Sequence, residues 1–340
     1  MISRLGIKRV LPCVVLTALL PLTLPAQAPS WRPEKPITLI VPRGAGAPLD
    51  QVARLCAGLL ESKLGQRIIV VNQPGLSGSV GTKTVLDALR DGYTWASGSI
   101  ADIGMYKLQG LLDTVMEDWH MFLCLADLPV FAVRASSPYR EFGALLEAFR
   151  QKPGQIAVAT AGYASAGHVA IETLRRYAGT LYRHVPYNDS TTAVNAVISA
   201  NAEVVSQIAA EESDLMRLGR LRPLAVLDSR PLSIKGLVDP VPPITNWVPG
   251  YKPNANYFGI FLPREVPEEV LKTLERLWDE VIAEAPQIAK LALERGALFS
   301  ASYGEEAAQR ALSCLQAVAW LSYDIGRIKI SPDTVGIPRQ

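Results

Sequence analysis

A repeated unit constrains this chain more than any other feature: a short apolar strand runs into a loop of small residues, and a helix follows. The first unit starts with the apolar run 37–41, passes through a Gly/Pro loop, and becomes helical from Val52. Free backbone N–H groups and the positive end of the helix dipole meet at such a junction. The sequence therefore predicts a loop that favours an anion, with Gly46 and Asp50 as candidate contacts. Asp50 could equally act only as a helix-start acid, without any ligand.

Two further strands end in the same kind of loop. The strand 68–71 leads into a glycine-rich loop and a helix, and the strand 93–96 ends in Ser-Gly-Ser. Because the carboxyl ends of parallel strands line the binding crevice of an open sheet, these loops are predicted to face a ligand. The two serines after the third strand could also simply end it. The candidate contacts are Gly75, Ser77, Gly78, Ser79, Ser97 and Ser99.

The second half of the chain repeats this order of strand, loop and helix without repeating the sequence. The strand 156–159 runs into a small-residue loop and a helix, and the strand 182–185 ends in Pro-Tyr-Asn-Asp-Ser. Two α/β domains are predicted, with 31–128 and 254–340 forming the first and 129–253 the second, since the two C-terminal helices are expected to fold back. The candidate contacts here are Ala164, Ser165, Gly167, His168, Asn188 and Asp189.

The N-terminus has the pattern of a cleaved secretory signal peptide over residues 1–28. Three basic residues precede the apolar segment 10–24, and Ala26-Gln27-Ala28 has the small residues of a cleavage site. An uncleaved anchor is the alternative. We expect cleavage after Ala26 or Ala28 and a periplasmic protein.

Composition excludes several classes of function. The 34 basic and 32 acidic residues are dispersed, and aromatics are only 7% of the chain, so no nucleic-acid surface is expected. Beyond the N-terminus no apolar run is long enough for a membrane span. Without residues 1–28, three cysteines remain, Cys56, Cys124 and Cys314. Their odd number and apolar settings predict free thiols, and the absence of a Cys/His cluster predicts no metal.

In these loops the chain resembles the substrate-binding proteins of tripartite tricarboxylate transporters, the Bug receptors. Seven sequence motifs occur in the same order as in the family, and this ordered set is more specific than any single motif. The corresponding segments are Val41–Asp50, Val71–Gly81, Asp91–Thr94, Gly162–His168, His184–Tyr187, Pro249–Tyr251 and Phe258–Pro263.

This resemblance implies a two-domain clamshell of the type II periplasmic-binding-protein kind, with a hinge of two crossover strands. It implies a small carboxylate or amino-acid-like ligand between the domains and delivery to membrane permease subunits. It further implies a monomer without catalytic residues or cofactor. The chain departs from the family at Pro48-Leu49, which lack the N–H and the hydroxyl of the usual Gly-Thr. Arg43 stands at an apolar position, and Asn188-Asp189 replaces Lys-Gly.

Two other functions fit the pattern. A sensory receptor of the same fold would pass its ligand state to a signalling partner, and sequence cannot separate it from a transport receptor. A secreted serine hydrolase would require Ser165, His184 and Asp189 to form a triad. Tyr163 occupies the first glycine position of the nucleophile-elbow pattern, which argues against a hydrolase.

Overall fold

The computed structural model describes residues 31–339, so the predicted signal peptide lies outside the described residues. This part of the chain forms two mixed α/β sheets. In it, no helix has both the length and the hydropathy that a membrane span requires. The strands are β1 Ile37–Val41, β2 Ile68–Asn72, β3 Thr94–Ser99, β4 Trp119–Asp127, β5 Pro129–Arg134, β6 Ala157–Thr160, β7 Arg183–Pro186, β8 Val204–Ile208, β9 Leu221–Val226, β10 Asn256–Pro263 and β11 Ala297–Tyr303. The helices are α1 Pro48–Leu64, α2 Ser79–Asp87, α3 Ile100–Met105, α4 Phe142–Gln151, α5 Ala166–Ala178, α6 Ser190–Ile198, α7 Ala209–Arg217, α8 Glu268–Leu277, α9 Pro286–Arg295 and α10 Gly304–Asp324.

The first sheet has the strand order β11-β4-β10-β3-β1-β2. Strand β1 runs parallel to β2 and β3, and β10 is antiparallel to β3 and β4. Leu39 and Val41 pack on one face in a core shared with α1, whereas Ile40 packs on the other face with Val85 of α2. Because helices cover both faces, β1 is apolar at every position except Thr38 instead of alternating. We call this sheet and its helices the first lobe.

The second sheet has the order β7-β6-β8-β5-β9 and forms the second lobe with α4 to α7. Strand β6 is parallel to β7 and β8, and β5 is antiparallel to β8 and β9. Phe142 of α4 and Ile171 of α5 are fully buried in one core with Phe131. Val197 of α6 belongs to the core on the other side. Both sheets therefore place their parallel strands between helix layers, as the repeated sequence units predict.

The chain crosses between the lobes twice. Leu128 alone separates β4 from β5, so the first crossing is a nearly continuous strand, and the return leads through residues 227–255 into β10. The predicted two-lobed clamshell is confirmed. The bounds at 128/129 and 253/254 stay a prediction, although each falls at a crossing.

Several elements do not follow the sequence predictions. Helices α3, α7 and α9 and strand β11 were not predicted. Helices α3 and α7 begin directly after the strand residues Ser99 and Ile208, so no loop separates strand from helix, and α7 also lacks a nearby Gly or Pro to mark the boundary. The first of the two predicted C-terminal helices, for which the pattern indicates residues 268–284, is α-helical only to Leu277 and continues as a π turn over Trp278–Ile282.

The three cysteines of the described chain are buried, and none of them forms a disulfide. The Sγ atoms of Cys56 in α1 and Cys124 in β4 lie 3.7 Å apart in the first-lobe core. The hydrogen bond with Cys56, together with burial, raises the pKa of the Cys124 thiol. Burial raises the pKa of Cys314 to about 12. Because the thiolate is the reactive form, Cys124 and Cys314 are expected to be unreactive at neutral pH.

We predict three titratable thiols per chain in mature protein that is denatured without reductant. A sample treated with reductant and then desalted serves as the control and should give the same count. A single thiol before reduction, rising to three afterwards, would show that Cys56 and Cys124 form a disulfide and would contradict the prediction.

Candidate functional site

A cavity of about 500 Å³ lies between the two lobes, and we call it the interlobe crevice. Helices α1, α3, α5 and α7 all begin at its wall, at the ends of β1, β3, β6 and β8 or in the loops that follow them. Its size is that of a small-molecule site, and its position follows the rule for open α/β sheets. The lining residues include Arg43, Ala47, Pro48, Leu49, Ser99, Asp102, Asp127, Ala164, Ala166, Ile208, Glu211, Asn256 and Phe258.

The loop between β1 and α1 is fixed by the carboxylate of Asp50, which is 2% exposed. This carboxylate accepts hydrogen bonds from Gly46 N at 2.8 Å, Asn72 Nδ2 at 2.8 Å and Arg54 Nε at 3.0 Å. Burial alone would raise the pKa of Asp50, but these bonds outweigh it and lower the pKa. Asp50 and Gly46 therefore hold the loop internally, while their neighbours Ala47 to Leu49 line the crevice.

Pro48 is the first residue of α1 and lines the crevice. Proline suits this position because its φ is fixed near the helical value and its missing N–H would have no partner within the helix. Leu49 is buried in the first-lobe core and also reaches the crevice. The departure from the family is thus well accommodated in the fold, but it removes one backbone donor from the crevice wall.

The loop after β2 does not line the crevice. Gly75 and Ser77 are exposed, and Gly78 and Ser79 are buried at the start of α2. Gly78 has a φ of +98°, and a Cβ there would lie 2.6 Å from an Nη atom of Arg43 and 2.8 Å from the hydroxyl of Tyr106. Glycine is required at this position for backbone conformation and space.

At the end of β3, the two predicted serines differ. Ser99 lines the crevice and caps α3, since its Oγ accepts from Asp102 N at 3.2 Å. Ser97 is 1% exposed, and its Oγ has no hydrogen-bond partner within the described part of the chain. Asp102 accepts from Ser99 Oγ at 2.9 Å and from Arg43 Nη2 at 2.8 Å. Burial raises the pKa of Asp102 despite these two partners.

The loop between β6 and α5 brings small residues from the second lobe to the crevice. Ala164 lines it with a φ of +60°, and its N–H donates to Nδ1 of His168 at 3.1 Å. Ser165 caps α5 by accepting from His168 N, and Ala166 lines the crevice at the first helical position. The first-turn amides of a helix have no intrahelical partner, so this terminus is suited to an anion.

Gly167 packs α5 against β8. A Cβ at Gly167 would lie 1.7 Å from the backbone oxygen of Ser206, whose Oγ donates to Gly167 O at 2.8 Å. No side chain fits there unless the helix moves away from the sheet. Gly167 does not line the crevice, so it acts on the site by letting α5 approach β8.

We predict that Gly167→Ala lowers the free energy of unfolding by about 2 kcal/mol or more, since overpacking against backbone typically costs 1–3 kcal/mol. Gly58→Ala is the matched control. Gly58 is exposed within α1, and a Cβ added there would have nothing within 4 Å, so alanine should stabilise by about 0.5–1 kcal/mol. Urea denaturation of both variants tests this, and equal stability of the two would contradict it.

His168 and His184 face a different groove, of about 880 Å³, between α5 and α10. Their rings are stacked, with centroids 4.2 Å apart, and Tyr163 meets both edge-on. His184 Nε2 lies 2.7 Å from Thr160 Oγ1. Desolvation lowers the pKa of both rings, and the neighbouring His168 helps to lower that of His184 to about 4.

Protonation of this pair should destabilise the fold. An unfolded histidine has a pKa of about 6.5, so the unfolded chain takes up a proton between pH 6.5 and about 4 that folded His184 does not. Stability is therefore expected to fall as pH decreases through this window. An NMR titration should give a midpoint near 4 for His184, and His184→Gln should weaken the pH dependence of the melting temperature. A midpoint near 6.5 would contradict the prediction.

The residues of the imagined hydrolase triad have other partners. Ser165 Oγ donates to Gly162 O at 2.8 Å, His184 bonds Thr160, and Asp189 caps α6 by accepting from Thr192 N at 2.8 Å. Asn188 and Asp189 are exposed and do not line the crevice. Within residues 31–339, no group of three His, Cys, Asp or Glu side chains could hold a metal ion.

Of the fourteen predicted contacts, the structure brings Ser99 and Ala164 to the crevice wall. Four of the others, Gly46, Asp50, Ser165 and Gly167, hold the loops that form the wall, and the remaining eight do not line the crevice. Sequence reasoning missed the charged lining residues Asp102, Asp127 and Glu211. Asp127 stands at the end of β4, and Glu211 lies in α7, which was not predicted. The signal that could have found Glu211 is the acidic pair after the strand 204–208.

Comparisons with known proteins agree with this geometry. The profile of the tripartite tricarboxylate transporter family receptor matches residues 52–309. A UPF0065 protein of Bordetella bronchiseptica is 31% identical over 283 residues, which cover 82% of each chain.

Two solved structures share the fold. A TctC solute-binding protein from Polaromonas, without ligand, is 25% identical and superposes with a TM-score of 0.72, covering 87% of this chain and 99% of its own. A protein of R. palustris solved with adipate is 22% identical, with a TM-score of 0.59 and coverage of 86% and 98%.

Proposed function

Because this chain belongs to the tripartite tricarboxylate transporter receptor family, we propose that it is a periplasmic solute-binding protein that captures a small organic acid in the interlobe crevice. The observation that carries the proposal is the cavity of about 500 Å³ at which helices from both lobes begin. A ligand that contacts both lobes stabilises the closed arrangement by its differential affinity for it. The adipate held by the R. palustris relative supports a carboxylate-bearing ligand.

The anionic end of the ligand is proposed to lie between the starts of α1 and α5. Ala47, Ala164 and Ala166 are small, so they allow an anion to approach the backbone, and the dipoles of the two helices favour negative charge. Arg43 lines the same cavity with its side chain 33% exposed, and although Asp102 pairs with it, its guanidinium has further N–H groups that can donate to the anion. Ser99 is the last of these proposed ligand contacts. The loops that carry the contacts are held in place by Gly46, Asp50, Ser165 and Gly167.

The remaining parts of the proposal follow from the family. The protein is secreted through its N-terminal signal peptide, acts as a monomer without catalysis, and delivers its ligand to membrane permease subunits. The domains are 31–128 with 254–340, and 129–253, so that the ligand contacts both. The structure offers no observation that favours a sensory role or hydrolysis over transport.

Filling the crevice should abolish binding without unfolding the protein. Ala166 is exposed at the start of α5, so Ala166→Leu is expected to fold normally and to weaken binding of the preferred acid at least tenfold by steric exclusion. Ala289→Leu is the matched control, because Ala289 is exposed on α9 and does not line the crevice. A thermal-shift screen of organic acids and amino acids, followed by calorimetry, provides the measurement.

Equal affinity of wild type and Ala166→Leu would place the ligand elsewhere. If no organic acid or amino acid binds the wild type at millimolar concentration, the proposed function itself fails.

A further inference from the structure

The charge of the interlobe crevice does not match a ligand that carries only carboxylates. Four charged residues of the described chain line it: the base Arg43 and the acids Asp102, Asp127 and Glu211. Asp102 is paired with Arg43 at 2.8 Å. The remaining acids, Asp127 and Glu211, therefore leave an excess of negative charge in the crevice, which a dicarboxylate such as adipate would not balance.

Asp127 is the main observation. It is 8% exposed and lines the crevice, yet within residues 31–339 its carboxylate has no hydrogen-bond partner. Burial raises its pKa, and the more distant charge of Arg295 only partly compensates. Buried carboxylates are normally paired or hydrogen-bonded, because removing an ion from water costs free energy. A carboxylate left in this state at a cavity wall indicates a partner that comes with the ligand.

Glu211 lies on the second-lobe side of the same cavity. Partial desolvation raises its pKa, a hydrogen bond with Ser190 opposes this, and the charge of Asp127 raises it further. The two carboxylates are thus close enough to repel each other, although they belong to different lobes. Glu211 also lies in the first turn of α7, where its own charge already interacts favourably with the helix dipole. This helix terminus is therefore poorly suited to a second anion.

We propose that the ligand of this crevice carries a protonated amine as well as its carboxylate, and that Asp127 and Glu211 bind the ammonium group. The inference rests on the proposed function, since it concerns the same cavity. An ammonium donates up to three hydrogen bonds, so it can satisfy carboxylates from both lobes at once. Arg43 and the starts of α1 and α5 remain for the carboxylate. The ligand class is an amino acid with separated charges, rather than a dicarboxylate.

Matched ligands with equal numbers of carbon atoms distinguish an amino-acid ligand from a dicarboxylate ligand. Adipate, 6-aminohexanoate and 1,6-diaminohexane each have six carbons and differ in replacing a terminal carboxylate by an ammonium-bearing CH2 group, and succinate, 4-aminobutyrate and 1,4-diaminobutane form the corresponding four-carbon series. Calorimetry with the purified protein should show that the amino acid of at least one series binds at least tenfold more tightly than its dicarboxylate.

Substitutions then test the named residues. Asp127→Asn and Glu211→Gln keep size and shape, and each should reduce the preference for the amino acid over the dicarboxylate at least tenfold. Asp239→Asn is the matched control, since Asp239 is exposed and does not line the crevice. Far-UV circular dichroism and melting temperature verify folding, and the ratio of two affinities in one variant is insensitive to a small loss of active protein.

The outcomes are distinct. Tighter binding of the dicarboxylate, especially if it strengthens as pH falls, would mean that protonated carboxyls donate to an acid; it would overturn the inference and leave the proposed function intact. Tightest binding of the diamine would support the ammonium site but contradict a carboxylate-bearing ligand. An unchanged preference in both Asp127→Asn and Glu211→Gln would also overturn the inference.

Discussion

Backbone amides at the starts of helices dominate the architecture of this protein. Four helices begin at the wall of the interlobe crevice, and the first amides of any helix lack partners within it. These groups must be satisfied by side chains, water or a ligand. The chain meets this requirement differently at each helix, and those differences decide which part of the crevice can receive an anion.

At α3 and α7 the protein supplies its own acids. Asp102 lies in the first turn of α3, where it is held by Ser99 and Arg43, and Glu211 lies in the first turn of α7. At α1 the acid Asp50 turns away into a buried network with Gly46 and Asn72. The wall residues at the starts of α1 and α5 are alanine, proline, leucine and valine, which bring no charge of their own. The crevice is thus divided into a part at the starts of α1 and α5 that is suited to an anion and a part at Asp127 and Glu211 that is already negative.

The single-residue crossing at Leu128 connects the charge of the crevice with the closure of the two lobes. Asp127 ends a strand of the first sheet and Pro129 starts a strand of the second. A charge at this position lies next to the crossing between the lobes and also lines the crevice between them. A ligand group that pairs with Asp127 and with Glu211 of the second lobe would therefore favour the closed arrangement directly.

The sequence by itself determined the layers and the family. Apolar runs of strand length, glycine-rich loops and helical periodicity are local signals. They were sufficient to predict β1, β3, β6 and the strands beside them, because both sheets bury their strands between helices. The sequence indicated Gly78 and Gly167 as candidate positions, but it did not show why glycine is needed there. The reason is a side chain or a strand that is distant in sequence. Only the tertiary structure decided that His168 faces another groove, that Asp50 is used internally, and that Asp127 and Glu211 share one cavity. Charge pairing across a crevice depends on distances between segments far apart in the chain, and no local pattern encodes those distances.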